Sequence, residues 1–225
     1  MELKTYQPLN YNMWDFSGQG KNIAALLQPI EKELWNRALS LQDKRLDPGH
    51  AEFVTYFALE LLKYELGDRK VVVPAAILHD IGWSQMSPAE VNLFSDPNMK
   101  RYEPALRARH QEEGARKARD ILIDSGYSQP HIPHIVEIIS QHDTRDGFYS
   151  LEDGIMRDAD KLWRFTIPEV EISTTHRSKT LEGLDVRNRK YIQKENFLYS
   201  DTAKEIARIE WENTLKTLRE KLKQR

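Results

Sequence analysis

Val71-Val72-Val73-Pro74-Ala75-Ala76-Ile77-Leu78-His79-Asp80-Ile81-Gly82 is apolar until a histidine and an aspartate interrupt it. Its reading as strand or helix decides the fold class. Three β-branched valines favour a strand. Pro74 with Ala75-Ala76 favours a helix starting near the proline, whose fixed φ and missing N–H suit a first turn. We adopt the helix, with Gly82 expected to end it. A segment so apolar is buried, and an ionisable pair at the end of a buried segment needs a reason to be there.

The neighbouring stretches agree with a helical fold. After the turn Pro48-Gly49, residues 50–66 carry His50, Val54, Ala58 and Leu62 four apart, so His50 shares an apolar face; Gly67 is expected to cap this helix. Residues 104–125 place Leu106, His110, Gly114 and Ala118 on one face, closed by Gly126. Residues 130–141 carry Ile132, Ile135 and Ile139, and His142 extends that stripe. Residues 152–166 read as a helix bearing Asp158 and Asp160. Residues 23–42 form an earlier helix that Pro29 either starts or kinks. Residues 83–103, with Pro88, Pro97 and Asp96-Pro97-Asn98, are the least regular, with a short helix expected over 88–94. Residues 169–200 are polar and helical in parts. A final helix from Ser200 or Asp201 repeats Trp211, Leu215, Leu218 and Leu222, a core-packing face in the first reading and a homodimer seam in the second. No strand alternation stands out, so the fold class is all-α. The expected organisation is a single domain over 1–225, with a core at about 45–165 and flanking helices over 22–44 and 169–225.

Composition bounds the function. The 225 residues are 40% hydrophobic and 30% charged, with a net charge of −2, so no basic field draws the chain to nucleic acid or membrane. Cysteine is absent, which excludes thiolate metal sites and cysteine nucleophiles. No apolar run has membrane-spanning length, and Met1 to Gln7 shows no signal core. The cytoplasm is the expected location.

Six residues carry the chemistry: His50, His79, Asp80, His110, His142 and Asp160. Separations of helix-plus-loop length let packed helices point all six into one cavity. Imidazoles with carboxylates suit divalent first-row ions, and Asp80, beside a ligand and with two oxygens, is the natural bridge. Two adjacent ions can hold a nucleophilic hydroxide and clamp phosphoryl oxygens.

The order His, His-Asp, His, His, Asp, with Leu78-His79-Asp80-Ile81-Gly82 and Ala159-Asp160-Lys161-Leu162, resembles the HD superfamily of metal-dependent phosphohydrolases over roughly residues 45–165. The resemblance implies an HD-domain helical bundle with N- and C-terminal helices packed around it. It implies two divalent ions (Fe, Mn, Co, Ni or Mg), one on His50, His79, Asp80 and Asp160, the other on Asp80, His110 and His142. It favours Asp160 over Asp158. It implies hydrolysis of a small phosphate ester, a nucleotide among the candidates. The same ligand order is similar to that of the helical mixed-valence di-iron oxygenases, which gives an oxygenase of a small polar substrate as the alternative. A non-enzymatic helical module is the third reading, and the intact ligand set argues against it.

Around these six, Asp80, Arg145 and Lys161 are the expected catalytic residues. Arg145, in the loop after His142, is assigned to an anionic substrate. Lys161 is open between a phosphate contact and a solvated charge. Arg101, Arg107 and Arg109 precede His110, and arginine suits phosphate through its planar fork. Glu113 and Asp143 are candidates to orient ligand imidazoles. His131, His134 and His176 are read as structural or surface residues, and Trp83 as packing.

Overall fold

A computed structural model of the chain describes residues 6–11, 14, 22–45, 47–95 and 103–223, apart from the side chains of 94, 95 and 222. Among the described residues every regular element is a helix. The elements are α1 (Pro29–Ala38), α2 (His50–Leu61), α3 (Arg69–Leu78), α4 (Pro88–Ser95), α5 (Glu103–Asp124), α6 (Ile132–Gln141), α7 (Leu151–Leu162), α8 (Ile167–Thr175), α9 (Leu181–Gln193) and α10 (Asp201–Lys223). Arg101, the loop 96–98 and most of the first twenty residues lie outside the described residues. No described helix is long and apolar enough to cross a membrane.

The deciding stretch is helical, and α3 is longer than expected at its start. It begins at Arg69, where the Asp68 side chain accepts from the Lys70 N–H at 2.8 Å, and Pro74 lies inside it. The cap outweighs the proline because a carboxylate at the N-cap satisfies an otherwise orphaned N–H. Residues 71–78 are all buried, since α3 packs against α1, α2, α6 and α7. A helix surrounded by neighbours is apolar all round, which is why the valines looked like a strand.

Helices α1 and α2 also differ from expectation. Helix α1 starts at Pro29, with residues 22–27 in turns before it. The buried Glu31 carboxylate accepts from the Gln28 N–H at 2.7 Å and from the Arg69 guanidinium at 2.7 and 2.8 Å, tying α1 to the start of α3. Helix α2 stops at Leu61, not at residue 66. Gly67 is needed for close approach rather than as a cap: a Cβ there would lie 2.5 Å from Ile155 Cδ1 of α7. Residues 169–200 resolve into α8 and α9. Gly126 does close α5, at φ +65°, with the Tyr127 N–H bonded to the Leu122 carbonyl at 2.9 Å.

Helix α10 is buried along Trp211 and Leu215, while Leu218 packs at the edge of the core. Its Glu210 holds the chain's beginning: Tyr6 Oη donates to Glu210 Oε1 at 2.5 Å, the Leu9 N–H at 2.9 Å, and Tyr11 Oη to Oε2 at 3.2 Å. Burial, against those three donors, pushes the Glu210 carboxyl up to about 7.

Candidate metal centre

Five helices deliver the six residues. His50 is the first residue of α2, and its position is set by Asp43, whose carboxylate accepts from the Gly49 and Ala51 N–H groups at 2.8 and 3.1 Å. Gly49 between them sits at φ +86°, open to glycine at little cost. His79 and His142 occupy equivalent places, each one residue past the end of its helix, α3 and α6. Each ring bonds through Nδ1 to the carbonyl three residues back, His79 to Ala76 and His142 to Ile139, both at 2.9 Å. A carbonyl only accepts, so Nδ1 carries a proton and Nε2 is the atom turned to the centre. His110 comes from the middle of α5 and Asp160 from the last turn of α7.

Gly82 brings the His79-Asp80 turn against α5. A Cβ on Gly82 would lie 1.8 Å from the His110 carbonyl and 2.6 Å from the Gly114 nitrogen. The two backbones touch where only hydrogens fit, and His110 is thereby held beside Asp80.

The atoms divide around Asp80. Its Oδ2 lies 3.4 Å from His50 Nε2 and 3.6 Å from His79 Nε2. Its Oδ1 lies 3.5 Å from His110 Nε2 and 3.4 Å from His142 Nε2. His50 Nε2 is also 3.1 Å from His79 Nε2 and 3.3 Å from Asp160 Oδ1. The donors thus form two groups sharing one carboxylate, His50-His79-Asp80 and Asp80-His110-His142, with Asp160 on the first.

The residues fit divalent ions. Both ring nitrogens of His110 and the Nδ1 of His50 are shut from solvent without a hydrogen bond, an arrangement that is costly unless something occupies the centre. A donor spacing near 3 Å is what two nitrogens about 2.1 Å from one ion have. The electrostatics ask for cations. Against burial, Asp160 and Asp80 hold the His50 imidazolium up to about 10. Against burial, Asp80 and Asp143 hold His142 up to about 9. Burial pushes the His79 ring down. Despite burial, the neighbouring His79 ring and the Arg45 guanidinium keep the Asp80 carboxyl well below its usual range, and His50 does the same for Asp160. Protons on two imidazoles stand where metal charge would stand.

Trp83, expected as packing, does more. Its indole N–H donates to Asp80 Oδ1 at 3.2 Å, and its ring stacks on His110 at 4.3 Å. Asp143 lies 3.7 Å from His110 Nε2 and takes Arg107 at 2.7 Å. Glu113, in contrast, pairs with Arg116 on the surface. Asp158 is buried and accepts from the Tyr199 and Ser200 N–H groups at 2.6 and 2.9 Å, anchoring the lead-in to α10. His131 pairs with Asp68, His134 with Ser150, and His176 is exposed.

A cavity of about 240 Å³ opens over His50 and Asp160. Arg45, Arg107, Arg164, Arg177 and Arg187 line it, with Glu169. Neither Arg145 nor Lys161 does. The Arg145 guanidinium turns to Glu137 and lies 5.0 Å from the Tyr149 ring. Lys161 sits between the Phe148 and Phe197 rings at 5.2 and 5.5 Å, and burial pushes its amine down to about 8. Arg109 pairs with Glu90. Of the lining arginines only Arg107 was anticipated. Arg164 had a signal, four residues past Asp160 on the same helical face; Arg177 and Arg187 had none.

Comparison with known proteins agrees with this fold. The family model for the HD domain matches residues 49–164, just over half of the chain. The fold is similar to the crystal structure of a predicted HD superfamily hydrolase from an uncultured Thermotogales bacterium. The two are 21% identical with a TM-score of 0.56, over 90% of this chain and 98% of that one. No curated protein matches the chain.

Proposed function

We propose, from the premise that this chain belongs to the HD-domain family, that it is a metal-dependent phosphohydrolase cleaving a small phosphate ester. The observation that carries the reading is Asp80, whose two oxygens serve two separate histidine groups beside an arginine-lined cavity. His50, His79, Asp80 and Asp160 would hold one ion, and Asp80, His110 and His142 a second. Divalent ions held there would acidify water and offset the charge of a phosphoryl group.

The chain's own residues do the rest. The Ala76 and Ile139 carbonyls fix the tautomer of His79 and His142, so both offer Nε2 without rearrangement. Arg45 and Arg107 lie beside the ligands, steadied by Asp47 at 2.9 Å and Asp143 at 2.7 Å. Guanidinium forks match phosphoryl oxygens in geometry and charge. The buried Trp163, 5.4 Å from the His50 ring, walls one side of the cavity against water.

Elemental analysis and iron spectroscopy on anaerobically purified protein, followed by a phosphate-release panel, test this. Two divalent ions per chain with release of phosphate, both lost in Asp80→Ala, are expected. Two irons with a mixed-valence resonance and no phosphate release would overturn it.

A further inference from the structure

The far side of the cavity is built by chain beyond the matched family segment. Arg177 follows α8, Arg187 lies in α9, and both face Glu169 of α8, at 3.8 Å from Oε1 and 3.5 Å from Oε2. Glu169 is buried, and Ser173 Oγ donates to its Oε1 at 2.9 Å. The carboxylate therefore fixes both guanidiniums but neutralises only one. Arg164 adds a third: among the described residues its guanidinium has no hydrogen bond or ion pair, while its carbonyl accepts from the buried Asn188 at 3.0 Å. Arg187 Nη2 is shut from solvent and makes no hydrogen bond.

Charge defines what fits. Arg45 and Arg107 are matched by Asp47 and Asp143. Arg164, Arg177 and Arg187 line the cavity with one carboxylate besides the candidate metal ligands, Glu169, which pairs with Arg177 and Arg187; this part of the wall therefore carries an excess of two positive charges. A phosphate group carries about −1.5 to −2 at neutral pH. Burial and the neighbouring Arg45 push the Arg177 guanidinium below its usual value, the state a bound anion would relieve.

Size narrows the class. The cavity's 240 Å³ lies below the roughly 300–1,000 Å³ of common ligand pockets. Its aromatic lining is Trp163, only 4% exposed, which leaves no flat apolar slot for a nucleobase.

We propose that the substrate is a compact bis-anion, a phosphate ester carrying a second phosphoryl group, and that Arg164, Arg177 and Arg187 bind that second group. The identity of the reacting group rests on the phosphohydrolase reading; the binding of the distal anion does not.

Calorimetric titration of metal-loaded protein with methylenediphosphonate and with methylphosphonate tests the binding. The bisphosphonate is expected to bind roughly tenfold to hundredfold more tightly. The double variant Arg177→Gln, Arg187→Gln at equal metal content should lose most of that margin; chelation of the ions is common to both titrations. Arg177→Lys, which keeps charge and loses the fork, gives a milder variant should the double one not fold, and should lose part of the margin. Equal affinity for the two probes, or an undiminished margin in the variants, overturns the proposal. In turnover, KM for propane-1,3-diol bisphosphate should lie below that for propyl phosphate, and the ratio should approach one in the variants. A nucleoside monophosphate preferred over the bisphosphate also overturns it. If no ester is cleaved at all, the phosphohydrolase reading fails and the titrations still decide the distal site.

Discussion

The indole nitrogen of Trp83 donates to the oxygen of Asp80 that faces His110 and His142, while the indole ring covers the face of His110. One side chain thus orients the shared carboxylate and stacks on a ring of the second histidine group. Trp83→Phe keeps an aromatic face and removes the donor. Loss of such an outer partner typically costs about tenfold to hundredfold in metal affinity, and that loss is expected here with the helical content unchanged. Equilibrium dialysis against metal buffers measures it; unaltered affinity would reduce Trp83 to a packing residue.

Metal loading should release protons. The His50 and His142 rings are held up to about 10 and about 9, so both are protonated at pH 7 in the absence of ions. Each must lose its proton to donate through Nε2. Affinity should therefore rise with pH up to the region of these values. Calorimetric titration at pH 7 in buffers of different ionisation enthalpy should give up to two protons released per chain; a buffer-independent heat would contradict it.

Gly82→Ala should be the most damaging glycine substitution in the molecule's centre. The added methyl meets the backbone of His110 and Gly114, and backbone gives way less readily than a side chain. A loss of about 3 kcal/mol or more is expected, together with metal binding. Gly114→Ala, whose methyl would meet Gly82 N at 3.3 Å, should cost less. Urea unfolding of both variants gives the order, and a reversed order would refute the tight contact.

Glu210 gives stability a pH dependence of definite sign. Its folded-state value of about 7 lies above the ordinary 4.5, so the native state binds a proton that the unfolded state releases between those values. The favourable term is complete below about pH 4.5 and is lost as pH rises through 7, a change of order 3 kcal/mol. The stability of metal-free wild type relative to Glu210→Gln should fall across that interval and level off above it. A difference that stays flat or rises would show that Tyr6 and Tyr11 keep the carboxylate charged.

What was legible in the sequence was whatever repeats within one element. Apolar residues at helical spacing mark α2, α5 and α6, and histidines on those faces mark the candidate metal-binding cluster, because a polar ring in an apolar stripe stands out locally. The start of α3 was misread since Pro74 signals a first turn, while Asp68, the residue that starts the helix, lies six positions earlier. The end of α2 was misread because Gly67 resembles a cap, and its contact with Ile155 depends on α7. The cationic wall was illegible for the same reason. Arg45, Arg177 and Arg187 are far apart in the chain, and only the return of α8 and α9 brings them to one cavity. Arg145, three residues after His142, turns to Glu137 of α6 instead.

The imidazoles and aspartates around the centre lie between residues 50 and 160, whereas Glu169, Arg177 and Arg187 follow on a later stretch of chain. Heritable change can therefore act on the two independently. Exchanges in α8, α9 and the turn between them can remodel the mouth one residue at a time without altering any of the central histidines and aspartates. A scaffold divided in this way can vary what it binds in short steps while the central histidines and aspartates stay as they are.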